Sequence, residues 1–218
     1  MQVSRIGPSA QISFGMAPLT EEGVDAVLPL LQRLAQESGH QELIDAPLLF
    51  WGHSGGAYAA TRFASRFAER TVAFVRYNSG PTLQGDLSVL SRIPAVFFTG
   101  GKESKEIIDG TETAWKRGRA LGAPWTFVIN PDATHGNPND LKKADQLLIP
   151  WITAVIRQRL SPKGDRLQAV PEGSAWIGNN RTGEVAPFGS FLESRLQGSW
   201  LPDEPSAHAW HAVREAAK

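Results

Sequence analysis

The 218-residue chain contains no cysteine. Disulfide bonds, thiolate catalysis and cysteine metal sites are therefore excluded, although the cellular compartment stays open. Neither sign of charge is in excess, because 22 basic residues balance 22 acidic ones. We therefore expect neither nucleic acid nor an anionic membrane surface as a partner.

Long hydrophobic runs are missing as well. No stretch approaches the roughly 18 consecutive apolar residues of a transmembrane helix, and residues 1–5 lack the apolar core of a signal peptide. The localisation is therefore left unassigned. The sequence contains no HExxH motif, P-loop or dinucleotide fingerprint, and we predict neither a metal nor a cofactor.

Apolar segments of strand length alternate with segments of helical periodicity. Strands are predicted at residues 47–51, 71–77, 93–99 and 125–130, and helices at residues 20–38, 56–70, 104–121 and 139–160. This alternation predicts an α/β fold with a mostly parallel sheet flanked by helices. Before the first helix the chain reads as irregular, with one short strand at residues 10–14. The continuous apolar run at residues 47–51 predicts a buried strand.

The composition changes after Leu160. Residues 161–199 are rich in Gly, Pro, Asn and Ser, with a hairpin predicted at residues 176–187 and a closing helix at residues 202–217. We therefore predict a core at residues 1–160 and an extension at residues 161–218. Its aromatic residues predict that this hairpin-plus-helix extension packs on the core.

The most informative segment is Gly52-His53-Ser54-Gly55-Gly56, which follows a strand and precedes a helix. Gly-x-Ser-x-Gly in this context is the layout of a nucleophile elbow, in which a tight turn exposes the serine hydroxyl. The two outer glycines are expected where the turn leaves no room for a side chain, and the Gly55 N–H is a candidate oxyanion donor. A capping serine at a glycine-rich helix start is the simpler alternative.

A candidate acid and base follow in the order that this layout requires. Glu103 comes directly after the strand at residues 93–99 and a Gly-Gly turn, and His135 lies in the loop after the strand at residues 125–130. Because the carboxyl ends of parallel strands share one sheet edge, both are expected near Ser54. Asp109 is a weaker candidate for the acid, and Asp132 is too close to the histidine along the chain.

The other histidines fit the role of base less well. His40 precedes the elbow, and His53 is the variable residue inside it. His208 and His211 share a face of the closing helix, a spacing that allows metal binding but usually belongs to a solvated surface.

Taken together, Ser54, Glu103 and His135 resemble the α/β-hydrolase superfamily, over residues 19–160. Within it, residues 42–47 and 69–75 look like the esterase or dienelactone-hydrolase-like branch, near polyester-depolymerase and feruloyl-esterase relatives. The resemblance implies a serine hydrolase with Ser54 as nucleophile, His135 as base and Glu103 as acid. A small-molecule or polymeric ester would be the substrate.

The chain departs from this family at its start, where about 18 residues precede the first helix. At most one strand fits there, and no HGGG-like loop offers a second oxyanion donor. Three explanations stay open: the sequence is a piece of a longer protein, its true start lies upstream, or the edge strands of the family are absent. An unprotected sheet edge also predicts a homodimer or aggregation.

Three functions are therefore compatible with the sequence. The first is a carboxylic-ester hydrolase that works through an acyl-enzyme on Ser54. The second is a non-catalytic binding or interaction protein that keeps the elbow but lacks a complete site. The third is a thioesterase, peptidase or acyltransferase on the same three residues, since a fold does not determine its substrate.

Overall fold

A computed structural model describes residues 2–6, 9–13, 20–161, 166–191 and 194–215. Contacts within the chain divide it into two units, residues 1–44 and residues 45–218. The segment after residue 160 therefore belongs to the same unit as the parallel sheet. The three residues predicted to act together, Ser54, Glu103 and His135, also lie in this second unit.

The first unit begins with an antiparallel pair of strands, β1 (Gln2–Ile6) and β2 (Ser9–Ser13). The short strand predicted at residues 10–14 corresponds to β2, whereas β1 was missed because the residues before it were expected to be irregular.

Two helices follow in place of the single helix predicted at residues 20–38, α1 (Glu21–Asp25) and α2 (Val27–Ser38). Thr20 caps α1, accepting a hydrogen bond from the Gly23 N–H at 3.1 Å. The break between the helices lies just before Pro29, whose ring would clash with the carbonyl four residues earlier, that of Asp25. Gly39 ends α2 with φ of 77°.

The second unit alternates strands and helices. Its first part contains β3 (Leu48–His53), α3 (Gly55–Arg66), β4 (Thr71–Tyr77), α4 (Leu87–Leu90), β5 (Ala95–Gly100), α5 (Lys105–Arg119), β6 (Trp125–Asn130) and α6 (Pro138–Arg159). The four strands form a parallel sheet in the order β3-β4-β5-β6. The predicted α/β class is confirmed, and β4 and β6 have the predicted bounds. The four-residue helix α4 was not predicted, because it is too short to show a helical period.

The core lies on both faces of this sheet. Every residue of β4 and β5 is buried. One face packs against α3 and α5 through residues such as Phe74 and Trp115, and the other packs against α6 through residues such as Val75 and Trp151. Trp115, Trp125 and Trp151 belong to this core, since each is at most 1% exposed.

The end of the chain forms a separate three-stranded antiparallel sheet and a helix. They are β7 (Trp176–Gly178), β8 (Val185–Pro187), β9 (Ser199–Leu201) and α7 (Glu204–Glu215), with sheet order β8-β7-β9. The predicted hairpin is the β7–β8 pair, and β9 was missed because three residues show no period. The Trp210 indole N–H donates to the Phe127 carbonyl at 2.7 Å, which anchors α7 against β6.

The strand β3 differs from the buried strand that was predicted for residues 47–51. Leu49 is 39% exposed and Trp51 is 46% exposed. The apolar run was read as buried on both faces, but among the described residues β3 pairs with β4 alone and forms an edge of the sheet. Dimerisation through this edge stays a prediction. No helix in the described ranges has the length and apolar character needed to span a membrane.

Candidate active site

The turn between β3 and α3 places Ser54 in an unusual backbone conformation, with φ of 53° and ψ of −121°. A residue with a side chain rarely adopts such angles, and holding it there costs about 1–3 kcal/mol. The Ser54 N–H donates to the Tyr77 carbonyl of β4 at 2.9 Å. Its side chain makes no capping hydrogen bond to α3, which excludes the alternative of a capping serine.

The glycines around Ser54 have different roles. A Cβ atom at Gly52 would lie 2.0 Å from the Gly56 carbonyl oxygen, so the start of α3 passes directly over β3 and requires glycine there. A Cβ atom at Gly56 or at Gly55 would meet nothing within 4 Å. The expectation that the turn leaves no room at Gly56 was therefore wrong, because it is the Gly56 backbone that fills the space above Gly52.

Ser54, His135 and Glu103 form a chain of hydrogen bonds. The His135 Nε2 atom lies 3.0 Å from the Ser54 Oγ atom, and the Nδ1 atom lies 2.9 Å from the Glu103 Oε1 atom. If Nδ1–H donates to the carboxylate, Nε2 is left to accept the serine proton. The Glu103 side chain is 5% exposed and that of His135 is 46% exposed, so the carboxylate is shielded and the imidazole faces solvent.

Close packing between two loops brings the acid to the histidine. A Cβ atom at Gly100 would lie 2.4 Å from the Ala133 carbonyl oxygen, and one at Gly101 would lie 2.6 Å from the Pro131 carbonyl oxygen. The Lys102 N–H donates to the Ala133 carbonyl at 3.0 Å. Gly100 at the end of β5 and Gly101 after it therefore allow this loop to lie against the loop that carries His135.

The structure places the competing residues elsewhere. Asp109 forms an ion pair with Lys105 on the surface of α5, and the Asp132 carboxylate lies 3.7 Å from Lys143. The remaining histidines lie in other surroundings.

His40 bonds Glu42, His208 stacks edge-on against Trp176, and His211 bonds the Gly183 carbonyl. Within the described ranges, no three histidine or carboxylate side chains gather in a way that could hold a metal ion.

Two residues beside the base were not assigned a role from the sequence. The His53 Nε2 atom lies 2.5 Å from the His135 carbonyl oxygen, and the Asn78 side-chain amide donates to the same oxygen at 3.1 Å. Asn78 directly follows β4 and is 1% exposed. No local sequence pattern indicated its role. Its φ of 48° lies in the left-handed region, which asparagine tolerates better than most residues do.

On the side of the site that faces away from solvent, one buried polar group has no hydrogen-bond partner among the described residues. Tyr77 is 1% exposed, and in the described part of the chain its hydroxyl has no hydrogen-bond partner. Burial raises the pKa of Tyr77 to about 12, and the carboxylates of Asp140 and Glu103 contribute to the same direction. The Asp140 carboxylate also accepts the Thr134 N–H at 2.8 Å, which ties α6 to the loop of the base.

A buried cation lies on the other face of β4. Arg76 is fully buried and donates to the Gly80 and Thr82 carbonyls at 3.0 and 2.8 Å. Burial lowers its pKa to about 10. This guanidinium holds the loop that follows Asn78, and the sequence analysis did not anticipate it.

The arrangement can carry out nucleophilic attack followed by proton transfer. The hydroxyl is next to an imidazole, and the imidazole bonds a shielded carboxylate. The first N–H groups of an α-helix lack partners within the helix, although here the Ala57 N–H donates to the Ser54 carbonyl at 3.0 Å. The Gly55 N–H, which directly follows Ser54, belongs to the first turn of α3. No protein-family model matches the sequence, and a search of curated proteins finds no match.

Proposed function

We propose that the protein is a serine hydrolase of the α/β-hydrolase superfamily that cleaves carboxylic esters. The observation that carries this proposal is the hydrogen-bonded chain from Ser54 through His135 to Glu103, with distances of 3.0 and 2.9 Å. The strained backbone of Ser54 adds support, because strain of this kind clusters at active sites. The parallel order of the sheet, and the positions of the three residues in the loops after β3, β5 and β6, support this assignment.

In the first half of the reaction, the Ser54 Oγ atom attacks the ester carbonyl carbon while His135 Nε2 takes the hydroxyl proton. Negative charge then develops on the carbonyl oxygen, and the Gly55 N–H is placed to donate to it. Glu103 stabilises the imidazolium that forms. His135 next gives its proton to the departing alcohol oxygen as the carbon–oxygen bond breaks, leaving an acyl group on Ser54.

In the second half, a water molecule attacks the acyl carbon and loses a proton to His135 Nε2. The second tetrahedral intermediate collapses, the bond to Ser54 Oγ breaks, and Ser54 recovers its proton from the imidazole. The 46% exposure of the His135 side chain gives water a path to the base. The substrate is a small-molecule or polymeric ester.

The test compares wild-type protein with Ser54→Ala, using p-nitrophenyl acetate hydrolysis and labelling by a fluorophosphonate probe. We expect Ser54→Ala to lose about 10⁴- to 10⁶-fold in kcat, as removal of a triad serine does elsewhere. Ser174→Ala is the matched control, since Ser174 is exposed and its hydroxyl bonds only the nearby Pro171 carbonyl. That variant should keep wild-type hydrolysis and labelling.

A folded wild-type protein that is neither labelled at Ser54 nor active would contradict the proposal and favour a non-catalytic binding protein. A panel of esters, thioesters and peptides addresses the remaining alternative. If a thiol or amine acceptor, a thioester or a peptide were strongly preferred, simple ester hydrolysis would be rejected in favour of a thioesterase, peptidase or acyltransferase on the same residues.

A further inference from the structure

The main-chain carbonyl of His135 is held from two sides. The His53 Nε2 atom lies 2.5 Å from this oxygen and the Asn78 Nδ2 atom lies 3.1 Å from it. The two donors come from the ends of neighbouring strands, β3 and β4. A carbonyl oxygen has two lone pairs, so both contacts can be made at the same time.

Asn78 connects this carbonyl to the frame of the sheet. Its side-chain oxygen accepts the Gly100 N–H at 2.8 Å, and its side-chain nitrogen also donates to the Thr134 carbonyl at 3.1 Å. Its own main-chain N–H donates to the Phe98 carbonyl at 2.8 Å. One buried side chain therefore joins the end of β5, which leads to Glu103, to the loop that carries His135.

His53 completes the contact from the solvent side. Its ring lies 5.0 Å from the His135 ring and 5.4 Å from the Tyr77 ring, measured between centroids. Residues 134–137 are exposed, so the loop has little apolar burial to hold it. The hydrogen bonds from the two strand ends reach the carbonyl of His135 itself, whereas the Thr134 N–H bonds Asp140 on α6.

We propose that Asn78 and His53 are positioning residues, which hold the His135 carbonyl so that its imidazole stays within hydrogen-bond distance of both Ser54 and Glu103. This inference rests on the proposed function for its catalytic consequence. Neither side chain is assigned a contact with the ester. Both act through the base, whose placement matters because small shifts of a catalytic group are costly in rate.

The test uses Asn78→Asp and His53→Phe. Aspartate keeps the acceptor for the Gly100 N–H and the tolerance for positive φ, but it loses the amide donor. Phenylalanine keeps the ring of His53 and loses the donor. We expect kcat to fall by about 10- to 100-fold in each variant, with KM changed less than about twofold.

His53→Gln is the matched control, because its amide can still donate to the carbonyl. It should recover most of the kcat that His53→Phe loses. Fluorophosphonate titration of active sites separates positioning from folding: a purely structural role lowers the number of reactive sites but leaves the rate at each site unchanged. Wild-type kcat per reactive site in both Asn78→Asp and His53→Phe would overturn the proposal.

A readout without turnover keeps this inference separate from the proposed function. The Nδ1 proton of His135, bonded to Glu103, should give a downfield proton NMR signal that disappears in His135→Gln. We expect this signal to broaden in Asn78→Asp and in His53→Phe and to persist in His53→Gln. An unchanged signal in the first two variants would reject the proposal, whereas broadening in a protein without hydrolase activity would reject only the proposed function.

Discussion

The turn after β3 and the turn after β4 each contain a non-glycine residue with positive φ, but the side chain of that residue has a different role in each turn. Ser54 and Asn78, with φ of 53° and 48°, are the two non-glycine residues with positive φ in the described ranges. Each directly follows a strand, and each donates its N–H to a carbonyl of the next strand, that of Tyr77 in β4 and that of Phe98 in β5. Ser54 presents a hydroxyl to a solvent-facing imidazole, whereas Asn78 is 1% exposed and its amide faces three backbone groups.

The two turns therefore differ in what compensates for their backbone strain. At Asn78, the strain is offset by hydrogen bonds that the same side chain makes, so the turn is a structural joint. At Ser54, the side chain contributes no capping bond, and the strain is maintained by the neighbouring strand and by Gly52. Strain that its own side chain does not offset is the kind expected where a group must be exposed for chemistry.

The largest expected effect comes from changing Glu103, whose carboxylate bonds the imidazole next to Ser54. Glu103→Gln can donate to His135 Nδ1 and would favour the wrong tautomer, so that Nε2 no longer accepts from Ser54. We expect kcat to fall by about 10³- to 10⁴-fold, measured by ester hydrolysis. Asp109→Asn is the control and should retain wild-type kcat, and equal losses in both variants would show that the acid is misassigned.

The next largest effect concerns Gly52, which helps to hold Ser54 in its strained backbone conformation. Gly52→Ala places a Cβ atom 2.0 Å from the Gly56 carbonyl oxygen, and we expect the free energy of unfolding to fall by about 3 kcal/mol or more. Urea unfolding measures it. Gly56→Ala is the matched control: its new Cβ atom would meet nothing within 4 Å, and alanine favours a helix over glycine by up to about 1 kcal/mol. Similar destabilisation by both changes would contradict the difference between the glycines.

Replacing each strained residue by glycine tests the comparison directly. Ser54→Gly relieves strain at a side chain that does not cap, so we expect the protein to gain about 1 kcal/mol of stability. Asn78→Gly relieves similar strain but leaves the Gly100 N–H and two carbonyls without their partner, and we expect a net loss of about 1–3 kcal/mol. Chemical unfolding of both variants measures this difference, and changes of the same sign would break the comparison.

The smallest effect concerns the hydroxyl of Tyr77, which precedes Asn78. Its pKa is raised to about 12 in the folded protein, so the neutral phenol is favoured on folding. Stability from this group is complete below the ordinary pKa of about 10 and is lost as the pH rises towards 12. Tyr77→Phe lacks this dependence, and we expect wild type to lose more stability than the variant between pH 9 and about 11. Thermal unfolding measures both proteins at both pH values. An equal loss of stability in wild type and in Tyr77→Phe would contradict the burial of this hydroxyl.

The sequence was sufficient to predict the parallel α/β class, because strands such as β4 and β6 are mostly apolar and are separated by segments of helical periodicity. It also identified the residues that meet at the sheet edge, Ser54, Glu103 and His135, since their order along the chain follows from strands that end on one side. It failed for β3, whose apolar residues are exposed at an edge, because a run of apolar letters does not reveal how many neighbours a strand has.

The positions of Asn78 and His53 could not be predicted for a different reason. Their contacts to His135 span 57 and 82 residues, and neither residue carries a local pattern that indicates a partner so far along the chain. The assignment of Gly56 as a position without room failed in a similar way. The steric contact is made by the backbone of Gly56, whereas the sequence shows only that this residue has no side chain.

The exposure of Trp51 gives the protein a built-in optical reporter. Of the seven tryptophans in the chain, Trp51 is the one among the exposed large apolar residues, and it lies three positions before Ser54. Its fluorescence should therefore account for most of the emission that iodide or acrylamide can quench. A second subunit on the β3 edge, or a bulky ester beside Ser54, would reduce this quenching without the need for an added label.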